Sequence, residues 1–588
     1  MLRYCCVLLV ALASLSARAD WIEQSNRYAL DVLSRLAELS PEDVSSYGLS
    51  RFDPDVIDLG RDIYRRELAL NRELIAGLRG SLAGEKNARV RQDLEIMIRA
   101  LEDQVATYEL EHEYLLPYAD LHAFLFQSFR SLLHPRNDRA RYPAALQRLK
   151  KYSGQVAGFT PVTEQAMALT RARLGVEGLL GPYRGELESN LEDAPRYVAG
   201  IRELLEQSGL DGWQEDFALL ESQLAAYADW VRETVLPRAR SDNRLPAPLY
   251  INSLRNYGVT DAPADLIADG QYSYQLIRSQ MKALAREIAE QRDWQERDLL
   301  AVIRRLKKEQ VPQDRLLDLY RQRLASIEDI IRREKIVTLP RRDAVIRMAT
   351  EAESASVPAS FMNPPQLIEN TGQYGEFVLV QSNPSLGEDA AMDDWSHDGI
   401  VWGLTVHEAR PGHELQFARL VEDGTSLARA IFAGNSANSE GWGLYAESVM
   451  QPYLPPEGQL FSLYMRLLRA ARMFLDPMVN TGQMTRDRAE AFLVEQLALS
   501  RAMASSEADR YAFRMPGQAT SYYFGYIRLL RLRTEVEIAL GNTFDQQAFH
   551  DFILHQGLLP PALLRQAVLE QFGAAATGAI PATPPPPP

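Results

Sequence analysis

Residues 406–416, with the sequence VHEARPGHELQ, carry side chains that suit a metal site. Glu408 directly follows His407, and the next histidine is His413, six residues after the first. Zinc sites on helices commonly use two histidines four residues apart, with a glutamate after the first histidine as general base. The segment has this arrangement with two more residues between the histidines, so its chemistry depends on whether the backbone brings the two rings together.

Pro411 and Gly412, between the two histidines, decide that question. On a regular helix, residues four apart point about 40° from each other, whereas residues six apart diverge by about 120°. Pro411 has no amide hydrogen, and its ring clashes with the carbonyl four residues earlier, so the helix must widen or break. A turn widened by two residues, with Gly412 tolerating the unusual backbone, would return His413 to the side of His407. The alternative is two surface histidines on either side of a helix break.

A third ligand is required, because a catalytic zinc usually has three protein ligands and leaves a fourth position for water. The segment NSEGWGLYAESV contains Glu440 and Glu447, which are seven residues apart and share one helical face. We predict that Glu440 is the third ligand, with Glu447 either beside the ligands or an alternative ligand. Two solvated carboxylates are the other interpretation, which the apolar surroundings of Trp442 and Tyr445 disfavour.

Helices are the elements that must position these residues. Apolar residues at spacings of three and four, with charges on the opposite face, run through residues 265–310 and 464–478. The run YGEFVLVQSN, residues 374–383, instead predicts an edge-like strand or hairpin before the histidines, or else a buried extended connection. We therefore predict a mainly α protein: one large helical domain over residues 20–572, with a deep central cleft and a small β hairpin or sheet near the active-site helix.

The two ends of the chain do not belong to that domain. Residues 1–19 combine Arg3, a short apolar run and an Ala-Arg-Ala cleavage site, which is typical of a secretory signal peptide. The apolar run is too short to span a bilayer, so we expect a periplasmic or secreted protein without stable membrane insertion. Both cysteines, Cys5 and Cys6, lie in this segment, so the mature chain would have no disulfide. Residues 573–588 are proline-rich and predict a disordered tail.

Composition excludes some partners. The chain has 588 residues, 46% of them hydrophobic, which is enough for a large core. Its 64 basic and 79 acidic residues give a net charge of −15 at pH 7. A surface of this sign repels nucleic acid and anionic lipid, so we expect no nucleic-acid partner.

Three motifs in order, HEARPGH, EGWGLYAE and EADRYAFRMPGQATSYYFGYIRLLRLR, resemble the bacterial family called domain of unknown function 885. The resemblance extends over most of the mature chain, and its specific motifs lie within residues 377–533. It implies a mostly helical, zinc-dependent peptidase related to the gluzincins, in which His407, His413 and Glu440 hold Zn²⁺.

The sequence departs from the family pattern at two places. Glu414 occupies the position where the family commonly has a second histidine after Pro-Gly-His. The family also commonly shows an Asp-x-Gly-x-His pattern near MVNTGQM, where this chain has Asn480 and Gln483. These departures predict either an altered specificity or a weakened enzyme.

The expected reaction is hydrolysis of a peptide or a small amide. Zinc would acidify a water and polarise the scissile carbonyl, and Glu408 would take the proton of the water and pass it to the leaving amine. The phenols of Tyr522 and Tyr523 are candidates to stabilise the oxyanion. Tyr522 is preferred because it matches the family motif, and core packing is the alternative for either tyrosine.

Three arginines are candidates to bind a substrate carboxylate by bidentate pairing: Arg510, Arg514 and Arg528. Such binding would place cleavage near peptide C-termini, as in a carboxypeptidase. The competing class is a non-catalytic protein, in which a relic of the metal site binds a peptide or another ligand.

Overall fold

The computed structural model describes residues 21–60, 62–350, 353–354, 360–380 and 393–573. The predicted signal peptide and residues 574–588 of the predicted tail lie outside these ranges. The structure is 70% helical, with one small sheet in its described part, which confirms the mainly α prediction. None of the helices in the described ranges is long and apolar enough to cross a membrane.

Thirteen helices precede the sheet in the described part of the chain. Three of them begin at a side chain that accepts a hydrogen bond from the first helical turn, namely Asn87, Asp120 and Asp298. In chain order the helices are α1 (21–36), α2 (Pro41–Ser46), α3 (Ile63–Gly84), α4 (Ala88–Tyr114), α5 (Leu121–Leu133), α6 (Pro143–Tyr152), α7 (Val162–Arg171), α8 (Arg184–Ser208), α9 (Gln214–Trp230), α10 (Ala247–Asn256), α11 (Pro263–Gln291), α12 (Leu299–Lys307) and α13 (Gln313–Arg333).

The helices after the sheet carry the predicted site residues. In chain order they are α14 (Asp398–Glu408), α15 (His413–Glu422), α16 (Ser436–Met450), α17 (Pro456–Asn480), α18 (Arg486–Leu497), α19 (Arg501–Asp509), α20 (Ser521–Leu540), α21 (Gln546–His555) and α22 (Pro561–Phe572). A π-helical turn, Arg510–Arg514, extends α19. Along their lengths α17 packs against α11, and α16 packs against α20.

The small sheet lies between the two groups of helices in the sequence. Its strands are β1 (Val345–Met348), β2 (Phe361–Asn363) and β3 (Glu376–Leu379), in the order β1-β3-β2. β3 is parallel to β1 and antiparallel to β2. The predicted strand before the histidines is therefore present, but its edge-like position is wrong. Phe377 and Val378 are fully buried, as expected for the apolar run of a central strand covered on both faces.

Buried apolar side chains form three large clusters. The largest is built mainly from α10 to α22 and the sheet, and it surrounds the helices that carry the predicted ligands. A second cluster joins α5 to α9. A third joins α1, α3 and α4, and Ile368 and Ala428 extend it toward the later part of the chain.

One buried ion pair also links the early and late parts of the chain. Asp93 on α4 accepts hydrogen bonds from Arg429 Nε at 2.9 Å and from Ser25 Oγ at 2.6 Å. The Asp93 side chain is fully buried and that of Arg429 is 7% exposed. Removing one partner of such a pair leaves the other charge buried without compensation.

We predict that Asp93→Asn lowers the free energy of unfolding by about 3 kcal/mol, because the Arg429 guanidinium loses its carboxylate. Urea titration followed by circular dichroism measures the change. The matched control is Asp103→Asn on the same helix, where the ion pair with Arg99 is partly exposed and should contribute less than about 1 kcal/mol. Equal effects of the two substitutions would contradict the structural role of the buried pair.

Candidate metal centre

The backbone between α14 and α15 brings the two histidines together. His407 lies in the last turn of α14, and His413 is the first residue of α15. Across the break, the Gly412 amide donates to the Val406 carbonyl at 3.0 Å and the Leu415 amide to the Ala409 carbonyl at 3.4 Å. Both bonds reach six residues back rather than four, which is the two-residue widening that the sequence predicts. The two imidazole rings consequently lie 4.6 Å apart, centroid to centroid.

Gly412 is required by this backbone. A Cβ atom at Gly412 would lie 1.9 Å from the His407 carbonyl oxygen and 2.3 Å from that of Val406. Contacts this short with backbone atoms cannot be relieved by a side-chain rotation. The α16 helix also holds the break, because Trp442 Nε1 donates to the Pro411 carbonyl at 2.9 Å.

Glu440, on α16, completes a three-residue cluster with the histidines. Its Oε2 atom is 3.2 Å from Nε2 of His413 and 3.4 Å from Nε2 of His407. One ligand atom of each residue lies within 4.8 Å of those of the other two. The histidine side chains are buried, while that of Glu440 is 18% exposed. The cluster is thus inside the protein and retains some access to solvent through Glu440.

The donor atoms of this cluster fit a zinc ion. Two imidazoles and one carboxylate are the ligand set of several catalytic zinc sites, which keep a further position open. Glu447 Oε1 is 2.7 Å from Nδ1 of His407, so the Nε2 atom of that ring is directed toward the cluster. Of the two roles predicted for Glu447, this contact fits a residue that orients a ligand.

Electrostatic forces inside the cluster are strong. Burial acts to lower the pKa of His407, but hydrogen bonds to Glu440 and Glu447 outweigh burial and raise the pKa to about 9. Burial acts to raise the pKa of Glu440, but the charges of His413 and His407 hold it well below its usual value. A metal ion that binds to the imidazole of His407 would therefore compete with a proton.

Gly443 lets α16 approach the His407 ring closely. A Cβ atom at Gly443 would lie 2.7 Å from Cε1 of His407. Any other residue here would displace the ring from its position between Glu440 and Glu447. The glycine in the motif EGWGLYAE is therefore part of the ligand geometry.

Glu408 lies beside the cluster without belonging to it. The residue is 7% exposed, and burial raises the pKa of its carboxyl group. Within the described ranges, no hydrogen bond to its carboxylate is found. An unpaired, buried carboxylate next to the ligands has the properties of a general base.

Of the two predicted tyrosines, Tyr522 faces the cluster. Its ring lies nearly parallel to that of His407, with 6.4 Å between the centroids. Its hydroxyl accepts a hydrogen bond from Arg510 Nη2 at 2.9 Å. Tyr523 instead packs against Tyr526, with ring centroids 5.4 Å apart, in the core.

The three predicted arginines have different surroundings. Arg510 lies beside the cluster through its bond to Tyr522. Arg514 is bonded to Ser189 Oγ at 2.9 Å, and Arg528 forms two bonds with Asp261 at 2.6 and 2.9 Å. The structure therefore pairs Arg514 and Arg528 with residues outside the cluster.

Sequence reasoning did not identify three charged residues that surround Tyr522. Arg472 lies 4.6 Å from the Tyr522 ring centroid and makes a bidentate pair with Glu507 at 2.6 and 2.7 Å. Arg469 lies 5.7 Å from the same centroid. Both arginines are buried on α17. Together with Arg466 they recur every three residues within the otherwise apolar run RLLRAARMFL, which is the signal that could have identified them.

The departures from the family pattern lie outside the cluster. Glu414 forms a buried ion-pair network with Arg410 and Arg342, each at 2.7 Å. Asn480 donates to the Asp476 carbonyl of its own helix and to the Tyr511 carbonyl, each at 3.0 Å, and Gln483 is exposed. None of these side chains replaces a member of the cluster.

We predict that Glu447→Gln weakens zinc binding about 10- to 100-fold, because the ring of His407 loses the carboxylate that orients it. Competition with a chromophoric chelator measures the affinity. The control is Glu422→Gln on α15, whose carboxylate is bonded to Arg342 and should not affect zinc. An unchanged affinity in the Glu447 variant would refute its role as the orienting residue.

Solved structures with a similar fold include two candidate lipoproteins. One, described as a candidate lipoprotein from Colwellia psychrerythraea, has a TM-score of 0.74 and 18% identity over 94% of this chain and 99% of the other. Another, described as a candidate lipoprotein of unknown function from Shewanella oneidensis, has a TM-score of 0.71 and 19% identity over 92% and 99% of the respective chains. At such identities the likeness shows the fold alone. No curated protein sequence matches the chain.

A sequence family also matches, and its match covers most of the chain. The family is described as bacterial protein of unknown function, DUF885, and it matches residues 41–568. This range contains all three residues of the cluster and all the helices that position them. The chain therefore belongs to the bacterial DUF885 family.

Proposed function

We propose that this protein is a zinc-dependent peptidase that hydrolyses a peptide or small amide bond. One observation carries the proposal: His407, His413 and Glu440 converge within 4.8 Å, and the unpaired carboxylate of Glu408 lies beside them. When bound, zinc supplies Lewis-acid chemistry, because it lowers the pKa of water toward neutrality and polarises a carbonyl.

Glu408 performs the proton transfers in this proposal. Its carboxylate accepts a proton from the attacking water and delivers it to the nitrogen of the leaving amine. Burial raises the pKa of Glu408, which makes its carboxylate a stronger base than that of an exposed glutamate. The absence of competing hydrogen bonds within the described part of the chain leaves its oxygens free for this role.

Tyr522 stabilises the negative charge that develops on the carbonyl oxygen. Its hydroxyl oxygen accepts from Arg510, so its own hydrogen is available for donation to an oxyanion. Burial raises the pKa of Tyr522, which keeps the phenol protonated at neutral pH. The Tyr522 ring lies nearly parallel to that of His407, and the charge of Glu440 also raises the pKa of its phenol.

An exported location fits this proposal. The pattern of residues 1–19 supports cleavage of a signal peptide and release as a periplasmic or secreted protein. The similar bacterial structures are described as candidate lipoproteins, which is consistent with a family that works outside the cytoplasm. A ligand-binding protein without catalysis is less well supported, because the departures from the family pattern lie outside the cluster.

We predict different outcomes for the two central glutamates. Glu408→Gln is nearly isosteric but cannot accept a proton, so it should keep zinc while kcat falls about 10²- to 10⁴-fold. Glu440→Gln should lose zinc affinity first and activity as a consequence. Zinc content by plasma mass spectrometry and turnover of a mixed peptide library, with products identified by mass spectrometry, test both variants.

Either of two results would contradict these assignments. Cleavage by Glu408→Gln at the parental rate would exclude it as the general base. Retention of zinc by Glu440→Gln together with its loss from Glu447→Gln would make Glu447 the third ligand.

We predict that Tyr522→Phe lowers kcat about 10²- to 10³-fold without loss of zinc, because the oxyanion loses one preorganised donor. Steady-state kinetics on a peptide found in the library screen measures the effect. The matched control is Tyr523→Phe, because the Tyr523 ring packs in the core and its loss of a hydroxyl should leave kcat within a few-fold of the parent. Equal kinetics for the two variants would exclude Tyr522 as the donor.

A further inference from the structure

Arg469 is a buried arginine with few partners. Its side chain is 5% exposed, yet its Nε atom has no hydrogen-bond partner within the described residues. Its one hydrogen bond found there is a long one, from Nη1 to the Met465 carbonyl at 3.4 Å. The nearest carboxylate oxygen, Oε1 of Glu447, is 4.0 Å from Nη2 and is already bonded to His407. Burying a guanidinium in this way is costly unless an anion accompanies it.

Other arginines near Tyr522 are better satisfied. Arg472 forms a bidentate pair with Glu507, and Arg510 bonds to Tyr522 and approaches the same carboxylate at 3.5 Å. Two guanidinium groups thus share the one carboxylate of Glu507. Of the three guanidinium groups near Tyr522, that of Arg469 is the one with no carboxylate oxygen of the described residues nearer than 4.0 Å.

Arg469 lies close to the groups that would take part in the reaction. Its guanidinium carbon is 5.7 Å from the Tyr522 ring centroid, and that ring is stacked on His407. Its charge also acts on the carboxylate of Glu408. An anion bound by Arg469 would therefore lie beside the ligands, the general base and the oxyanion donor.

We propose that Arg469 binds a carboxylate of the substrate, adjacent to the bond that is cleaved. This inference rests on the proposed peptidase function and deepens it. A peptide supplies such a carboxylate from its C-terminus or from an acidic side chain next to the scissile bond. A planar guanidinium with free donors matches a carboxylate in shape and charge. The substrate-binding arginine is then Arg469, rather than Arg514 or Arg528.

Peptide binding to the zinc-loaded Glu408→Gln protein tests the proposal. Three probes are compared by calorimetry: tri-alanine as the free acid, tri-alanine as the C-terminal amide, and Ala-Ala-Glu as the C-terminal amide. With Arg469 present, we expect a carboxylate-bearing probe to bind about 10- to 100-fold more tightly than tri-alanine amide. In the double variant Glu408→Gln/Arg469→Gln, the two kinds of probe should bind within about threefold of each other. Replacing Arg469 by lysine instead should give an intermediate preference.

The three probes also identify the source of the carboxylate. Tight binding of the tri-alanine acid alone assigns the chain terminus, whereas tight binding of the Ala-Ala-Glu amide assigns an acidic side chain. Either result supports the proposal when the preference is lost with Arg469. Equal binding of all three probes in the presence of Arg469, or no binding of any probe at millimolar concentration, overturns it.

A positioning role for Arg469 has a different signature. If the residue only supports Glu447, Arg469→Gln should weaken zinc binding and leave the ratio between acid and amide unchanged, which would overturn the proposal. Arg528→Gln is the control, since Arg528 is paired with Asp261 and should leave the ratio at its parental value. Circular dichroism and zinc content establish that each variant is folded and loaded, and Arg469→Lys serves if the glutamine variant does not fold.

The proposed function fails separately from this inference. If the parent protein cleaves peptides but shows no preference for a carboxylate, the peptidase assignment stands and the role of Arg469 is refuted. If the protein binds carboxylate-bearing probes more tightly but cleaves no peptide of the library, the role of Arg469 stands and the peptidase function is refuted.

Discussion

The break between α14 and α15 is the constraint on which the candidate metal centre depends. A continuous helix would direct His407 and His413 to different faces. The backbone instead shifts its hydrogen bonds by two residues, and Gly412 permits the close approach to the His407 carbonyl. Trp442 on α16 fixes the break from outside through the Pro411 carbonyl. The same helix contributes Glu440, so one contact between helices sets the position of all three ligands.

Successive layers of charge surround those ligands inside an apolar core. Glu447 contacts Nδ1 of His407, and Arg472, which is paired with Glu507, lies against the Tyr522 ring. Each buried charge would be unfavourable alone, and most are offset by a partner of opposite sign. The arrangement explains why polar residues are concentrated in helices that otherwise pack the largest apolar cluster. It also explains why one incompletely paired guanidinium, that of Arg469, is informative.

The sequence contains enough information for the helical class and for the pairing of the histidines. Both follow from local rules: the periodicity of apolar residues, and the chemistry of a proline and a glycine inside a helix. The roles of Glu440 and Glu447 cannot be separated in this way, because residues seven apart share one helical face. Only the tertiary contact between Glu447 and Nδ1 of His407 distinguishes the role of Glu447 from that of Glu440.

Arginine roles are still less accessible from sequence. Arg514 and Arg528 are candidates from sequence because a guanidinium can pair with a substrate carboxylate. Their actual partners, Ser189 and Asp261, are hundreds of residues away in the chain. Long-range pairing of this kind leaves no local signal. The central position of β3 was missed for a similar reason, since its neighbour β1 lies outside the segment that predicts it.

X-ray absorption at the zinc edge, on protein loaded with one equivalent of zinc, tests the central claim most directly. The account predicts two imidazole nitrogens and at least one oxygen at about 2.0–2.1 Å, and loss of one imidazole in His413→Ala. A spectrum with oxygen ligands alone, or one that His413→Ala leaves unchanged, would contradict it.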